Sequence, residues 1–209
     1  MNREIFAVLT LMVSVSGSAS NFVVKHQVGE HIPSAQGSEV VIAQRGWQPN
    51  EYYVSQFSPA LACQGRPDTC TRGLKVVGPR GTEHVANPDN GLARAAISEG
   101  EHPVAVVVLP GPAGRPLARA FRFVDKVPVE ALRSPPLPFY AIVADCATME
   151  LCANEIGINF DEAVTGKWPD IILRQTAARM SDPANSFRRN FAFTFSSSKQ
   201  RYVRRPWTN

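Results

Sequence analysis

Hydrophobic and polar residues alternate along most of this chain with the period of two that is typical of β-strands. In the first half, runs of β-branched and aromatic residues are separated by glycine, proline and asparagine, which favour turns. We predict strands in four of these runs: residues 22–28, 38–44, 51–57 and 74–77.

The clearest supersecondary unit is a hairpin in the middle of the chain. Residues 104–109 read VAVVVL, an uninterrupted apolar run of strand length, and residues 117–124 alternate large apolar residues with polar or small ones. The segment 110–116 between them is rich in proline and glycine, so we predict a hairpin loop. It lacks the Gly-Lys-Ser/Thr ending of a phosphate-binding loop, and no helix is expected after it.

The second half mixes strand and helix signals. Residues 139–144 predict a buried strand, and residues 147–156 predict a helix with Gly157 as its C-cap. A short helix is also expected at 92–98, whereas residues 169–180 fit a helix and a strand equally well. These segments are the source of the helices in the predicted fold.

The C-terminal residues predict a second hairpin. Residues 190–196 alternate strictly, and residues 201–204 can pair with them across 197–200. One face of this strand carries a phenylalanine stripe: Phe191, Phe193 and Phe195. We expect the stripe to face the core. An exposed platform for stacked bases or an anionic polymer, and an edge strand that joins a partner's sheet, are the alternatives.

Taken together, the short strands, the Pro/Gly turns and the seventeen prolines predict a mainly β fold. We expect a sandwich or barrel of short antiparallel strands with one or two short helices, and an α+β fold is the alternative. Residues 21–209 are expected to form a single β-rich globular domain. The proline-rich stretch 127–138 is predicted to be a semi-rigid connector, a possible subdomain joint or a link between two sheets.

Residues 1–20 have the pattern of a signal peptide. Arg3 precedes an apolar stretch of eleven residues, and the small residues 16–20 would allow cleavage after Ala19 or Ser20. As a helix, this stretch would be about 16 Å long, about half of a hydrocarbon core of ~30 Å. The later apolar runs are also too short to span a bilayer. We therefore predict export to the periplasm or secretion, with an N-terminal core element as the alternative.

The four cysteines form two close pairs in the sequence: Cys63 with Cys70, and Cys146 with Cys152. Four cysteines allow three connectivities, and we favour the two local disulfides. Neither pair has the spacing of a structural zinc site, so we expect no metal; free buried thiols remain the alternative.

Basic charge is concentrated at the C-terminal end. The whole chain carries a net charge of +4, but its last 27 residues hold six basic side chains and no acidic one. The predicted binding residues combine five of these with the tryptophan near the terminus: Arg188, Arg189, Arg201, Arg204, Arg205 and Trp207.

Two functions fit these features. The first is an exported, non-catalytic binding or envelope-assembly protein, whose basic, aromatic C-terminal hairpin contacts a protein partner or an anionic polymer. The second is a secreted hydrolase or toxin-like enzyme that acts on an anionic substrate such as nucleic acid. Such an enzyme should gather at least two residues of one set in a single cleft: His84, His102, Asp145, Asp161 and Glu162. Known hydrolase motifs are missing, so we favour binding, name no catalytic residue and expect no cofactor.

Overall fold

The computed structural model describes residues 26–34, 37–47, 50–59, 73–87, 91–139, 151–161, 166–179 and 182–206. This part of the chain forms thirteen β-strands and one short 3-10 turn, Pro112–Gly114. The strands are β1 His31–Ser34, β2 Gly37–Trp47, β3 Asn50–Pro59, β4 Gly73–Gly78, β5 Gly81–Ala86, β6 Arg94–Ile97, β7 Val104–Leu109, β8 Leu117–Val124, β9 Val127–Arg133, β10 Leu151–Asp161, β11 Asp170–Arg179, β12 Asp182–Ser196 and β13 Arg201–Arg205.

The strands form three antiparallel sheets in which each strand pairs with its neighbour in sequence. Sheet 1 contains β1 to β5, sheet 2 contains β6 to β9 and sheet 3 contains β10 to β13. None of the three closes into a barrel. The predicted mainly β class is therefore confirmed, and the arrangement is consistent with a sandwich.

Sheet 2 is the middle layer and is covered on both faces. Successive side chains of a strand point to opposite faces, so the six apolar residues of β7 are divided between two cores. Toward sheet 3 point Val104, Val106 and Val108. Toward sheet 1 point Ala105, Val107 and Leu109. Burial on both faces explains why β7 is a continuous apolar run, which is unusual for an antiparallel strand.

The two outer sheets each supply one alternating apolar face to these cores. Sheet 1 contributes Tyr52, Val54, Leu74, Val76 and Val85. Sheet 3 contributes Ile156, Ile171, Leu173, Phe191, Phe193 and Tyr202. The layers are also aligned, because β6 contacts β2, β3 and β10 at one side of the stack while β9 contacts β4, β5 and β13 at the other.

The two predicted hairpins are confirmed. β7 and β8 pair across residues 110–116, and β12 and β13 pair across residues 197–200. β4 and β5 are joined by Pro79 and Arg80, with Gly78 opposite Gly81. For the two predicted hairpins, the proline, glycine or polar residues between the two strand segments were sufficient to predict the pairing.

Two helix predictions are wrong. β6 lies within the predicted helix 92–98, and β10 starts at Leu151 inside the predicted helix 147–156, whose first four residues lie outside the described part. β10 pairs with β11, which settles the ambiguous segment 169–180 as a strand. Ile156, Ile158 and Phe160 of β10 face the core, so its real period is two.

Only the second part of the predicted connector 127–138 lacks strand structure, because residues 127–133 form β9. The segment that follows is tied to β8: the backbone N–H of Ser134 donates to the carbonyl of Ala118 at 2.9 Å. It then places the Phe139 ring edge-on to Phe191 of sheet 3, with 4.7 Å between ring centroids. Residues 134–139 therefore pack on both sheet 2 and sheet 3.

Several sequence predictions concern parts of the chain outside the described residues. These are the signal peptide 1–20, most of the strand 139–144, Trp207, and the side chains of Cys63, Cys70, Cys146 and Cys152. The Cys152 backbone pairs with Ala178 in sheet 3. No helix within the described ranges is long and apolar enough to cross a membrane.

Candidate functional site: an arginine face and an arginine cavity

Sheet 3 separates its phenylalanines from most of its arginines. Phe191 and Phe193 are buried against sheet 2, so the core-facing stripe is confirmed for these two residues. Phe195 is half-buried at the end of the same stripe. The two buried rings are not available to stack on a ligand, and any contact with a partner has to use other side chains.

The outer face of sheet 3, which is turned away from sheet 2, carries four exposed arginines. We call this set the arginine face: Arg174, Arg188, Arg201 and Arg205. Their positions follow from the register, because each is opposite an outward-facing residue of the next strand. The opposed residues are, in the same order, Asn190, Thr176, Ser196 and Ala192.

The arginine face is elongated. From the row of Arg188 to the row of Arg201, which is opposite Ser196, β12 advances by eight residues. At about 3.3 Å per residue this is roughly 26 Å. Such a row of separated charges matches an extended ligand better than a compact one.

Two carboxylates lie near one end of this face, between the rows of Arg205 and Arg201. Asp161 and Asp170 are directly opposite each other in β10 and β11. Asp170 accepts hydrogen bonds from Thr194 Oγ1 at 3.0 Å and from Arg205 Nη1 at 3.3 Å. By contrast, Arg188 and Arg201 make no ion pair with any residue that the structure describes.

The remaining predicted binding residues have other surroundings. Arg189 Nη1 donates to the carbonyl of Pro138 at 2.6 Å, which fixes the segment 134–139 to sheet 3. The guanidinium carbon of Arg204 lies 4.6 Å from the centre of the Phe191 ring and covers the edge of the core. Conversely, sequence reasoning missed Arg174, because residues 169–180 had no settled period from which to assign a face.

A cavity of about 530 Å³ opens where the end of sheet 3 meets sheet 2. It is built by the end of β8, the residues just before β11, the β12–β13 turn and the adjoining ends of the strands of sheet 3. Its walls combine charged, aromatic and amide side chains, of which the most important are Arg122, Asp161, Trp168, Asp170, Phe195 and Gln200. We call it the Arg122 cavity.

Arg122 lies between two aromatic rings at the inner wall of this cavity. It is only 7% exposed, and its guanidinium carbon is 4.3 Å from the centre of the Phe195 ring and 4.9 Å from that of Trp168. Nη2 donates to Gln200 Oε1 at 3.4 Å, which is a long hydrogen bond. The buried Nε has no acceptor among the described residues.

No described carboxylate pairs with Arg122, so its charge is compensated only by aromatic faces and one amide. Burial lowers the pKa of Arg122 from its ordinary value, while the neighbouring Tyr202 opposes this change. Charges buried in proteins are normally paired, because desolvation costs several kcal/mol per ion. Arg122 is thus the least compensated charge of the cavity.

Tyr202 is a core residue that contacts two residues of the cavity wall, Pro169 and Phe195. Its hydroxyl donates to the carbonyl of Pro169 at 2.9 Å, and its ring contacts Phe195 edge-on with 5.4 Å between centroids. Burial, with a contribution from Asp170, raises the pKa of Tyr202 far above its ordinary value. The phenol therefore stays neutral and acts as a fixed donor that positions the residues before β11.

Of the described catalytic candidates, His84 lies on a different sheet from Asp161. His84 is exposed on β5 of sheet 1, whereas Asp161 lines the Arg122 cavity on sheet 3. The His102 ring lies 5.0 Å from Trp168, measured between centroids. Asp145 and Glu162 are outside the described part. Within that part, no three His, Cys, Asp or Glu residues form a group that could hold a metal ion.

Comparisons with known protein families, with curated proteins and with solved structures found no match to this chain.

Proposed function

We propose that this protein is an exported binding protein that holds an extended anionic polymer on the arginine face. The observation that carries the proposal is the row of four outward arginines along roughly 26 Å of sheet 3. Exposed arginines bind phosphate, sulfate and carboxylate groups through charge-assisted hydrogen bonds, and a row of them binds a repeating anion at several points.

The surrounding charges support the same conclusion. Only Asp161 and Asp170 oppose the arginine face among the described outward side chains, and both lie near one end of it. Lys199, in the β12–β13 turn, adds a further exposed cation beside Arg201. The other end of the face, around Arg174 and Arg188, has no described carboxylate and is available to a polymer.

Binding should depend on this face and on salt. Replacing Arg174, Arg188 and Arg201 with glutamine should move elution from a heparin column to lower salt. For a fluorescein-labelled oligothymidylate, the slope of log K against log salt concentration should fall by about 2, since each lost phosphate contact removes about 0.7 for a single strand.

The matched control removes the same charge elsewhere. Arg80, Arg94 and Arg115 are exposed on sheets 1 and 2, and their triple glutamine variant should keep nearly the parental salt slope and elution position. Equal losses in the two triple variants would show that net charge alone drives retention. That result would contradict an arginine face with a specific role.

The export part of the proposal has its own test. Mass spectrometry of the protein recovered from its native host should give a mature N-terminus at Ser20 or Asn21. The four cysteines should react with an alkylating reagent only after reduction, as two disulfides require. Recovery of a chain that still begins at Met1, with its thiols reactive before reduction, would contradict export.

A further inference from the structure

The Arg122 cavity has features that the arginine face does not explain. Its volume of about 530 Å³ is within the usual range for small-ligand sites, and it is a recess at a sheet end whereas the arginine face is open. Arg122 itself belongs to β8 of sheet 2, so it cannot contribute to the outer face of sheet 3. The function of the Arg122 cavity therefore requires a separate explanation.

The charges around the cavity nearly balance. Its cationic side chains are Arg122, Lys167 and Arg205, and its carboxylates are Asp161 and Asp170. The net charge of one positive unit matches a ligand with one negative charge. A ligand with several negative charges would gain from the cations but would also be repelled by the two aspartates.

The same residues indicate what the rest of the ligand is. Carboxylates only accept hydrogen bonds, so Asp161 and Asp170 fit a ligand that offers hydroxyl donors. Thr194, Ser197 and Gln200 can both donate and accept at the same wall. Trp168 and Phe195 add apolar surface for the C–H side of a ring.

We propose that the Arg122 cavity binds an acidic sugar, a ring with several hydroxyl groups and one carboxylate, with the carboxylate on Arg122 and hydroxyls on the aspartates. Arg122 suits this part because a planar guanidinium binds a carboxylate through two parallel hydrogen bonds. Its long hydrogen bond to Gln200 and its missing carboxylate partner leave this capacity available. The ligand would supply the negative charge that the described protein residues do not place beside Arg122.

The test uses four small probes on the full-length mature protein. Binding is followed by calorimetry and by the NMR signal of the Trp168 indole N–H, which is assigned with a Trp168→Phe variant. Glucuronate should bind with saturation in the millimolar range or better. Glucose lacks the charge, acetate lacks the hydroxyls and inorganic phosphate lacks the ring and the carboxylate, so each should bind at least tenfold more weakly.

Variants then test the role of Arg122. Arg122→Gln should weaken glucuronate binding at least tenfold, and Arg122→Lys should also weaken it because the planar fork is lost. Arg115→Gln removes the same charge from an exposed loop of sheet 2 and should change glucuronate affinity less than twofold. If Arg122→Gln does not fold, the comparison of glucuronate with glucose binding to the unmodified protein still tests the proposal.

Three results would overturn the proposal: equal affinity for glucose and glucuronate, equal affinity for phosphate and glucuronate, or no saturable change at Trp168 up to about 10 mM glucuronate. The proposal is independent of the proposed function. The triple variant of Arg174, Arg188 and Arg201 should keep glucuronate binding, and Arg122→Gln should keep the salt slope for oligothymidylate. The two proposals can therefore fail separately.

Discussion

Replacing Phe121 with alanine should lower the free energy of unfolding by about 3–5 kcal/mol. Phe121 lies on β8 in the middle layer, is completely buried and points into the core shared with sheet 1. Its neighbours across the strands are Ala105 and Glu130, and Ala105 is too small to fill the space of a lost ring. The space left by the phenylalanine ring would stay open, because sheet 2 is packed on both faces and has little freedom to move into it.

Urea denaturation followed by circular dichroism measures this effect. The matched control is Val129→Ala on the adjacent strand β9, where the side chain is 40% exposed, and we expect it to cost less than about 1 kcal/mol. A loss below about 1.5 kcal/mol for Phe121→Ala would show that the core between sheets 1 and 2 is not closely packed around this ring.

The alternation of apolar and polar residues that predicts these sheets is a local property. It gives the correct structure where a single strand and its turn determine that structure. The VAVVVL segment was correctly predicted to be a buried strand from its composition alone. What the sequence could not reveal is the reason for its continuous apolarity. An apolar run has the same sequence pattern whether two sheets or one sheet bury it. The three-layer arrangement can therefore be recognised only from the packing of the sheets in the structure.

The wrong helix at 147–156 has a physical explanation. Alanine, methionine, leucine and glutamate in this segment are good helix formers, and Gly157 resembles a helix C-cap. In the structure, β10 pairs with β11 from Leu151 to Asp161, with one irregularity between Ala153 and Glu155, and places Ile156 in the core. These contacts are between distant parts of the chain and outweigh the modest local propensity of the segment.

The candidate sites show the same limit. The charge count of the C-terminal end predicted a basic surface, but only the register places Arg188, Arg201 and Arg205 on the outer face and Arg204 at the edge of the core. The Arg122 cavity had no local signal. Arg122 is in β8, Trp168 lies just before β11 and is 46 positions away in sequence, and nothing in either segment indicates that they meet.

Gly78→Ala should destabilise the protein by about 2–3 kcal/mol, the range for overpacking a closely fitted site. A Cβ atom at Gly78 would lie 2.3 Å from the carbonyl oxygen of Lys126 and 3.0 Å from the Phe123 ring. The first neighbour is backbone of the β8–β9 turn, where Asp125 and Lys126 already have positive φ angles of 48° and 70°. This turn cannot retreat cheaply, because the pairing of Val124 with Val127 closes it at two residues and the Lys126 carbonyl accepts a hydrogen bond from the Arg80 N–H.

The same strand supplies the control. Gly73 lies at the other end of β4, and a Cβ there would be 3.6 Å from the carbonyl oxygen of Val85, an ordinary contact. Gly73→Ala should therefore change stability by less than about 1 kcal/mol, and the loss of freedom in the unfolded chain favours the alanine. Thermal unfolding of the two variants should show a clearly lower midpoint for Gly78→Ala alone. Equal midpoints would mean that the β4–β5 and β8–β9 turns are not in contact, and the packing of sheet 1 on sheet 2 at this end would have to be revised.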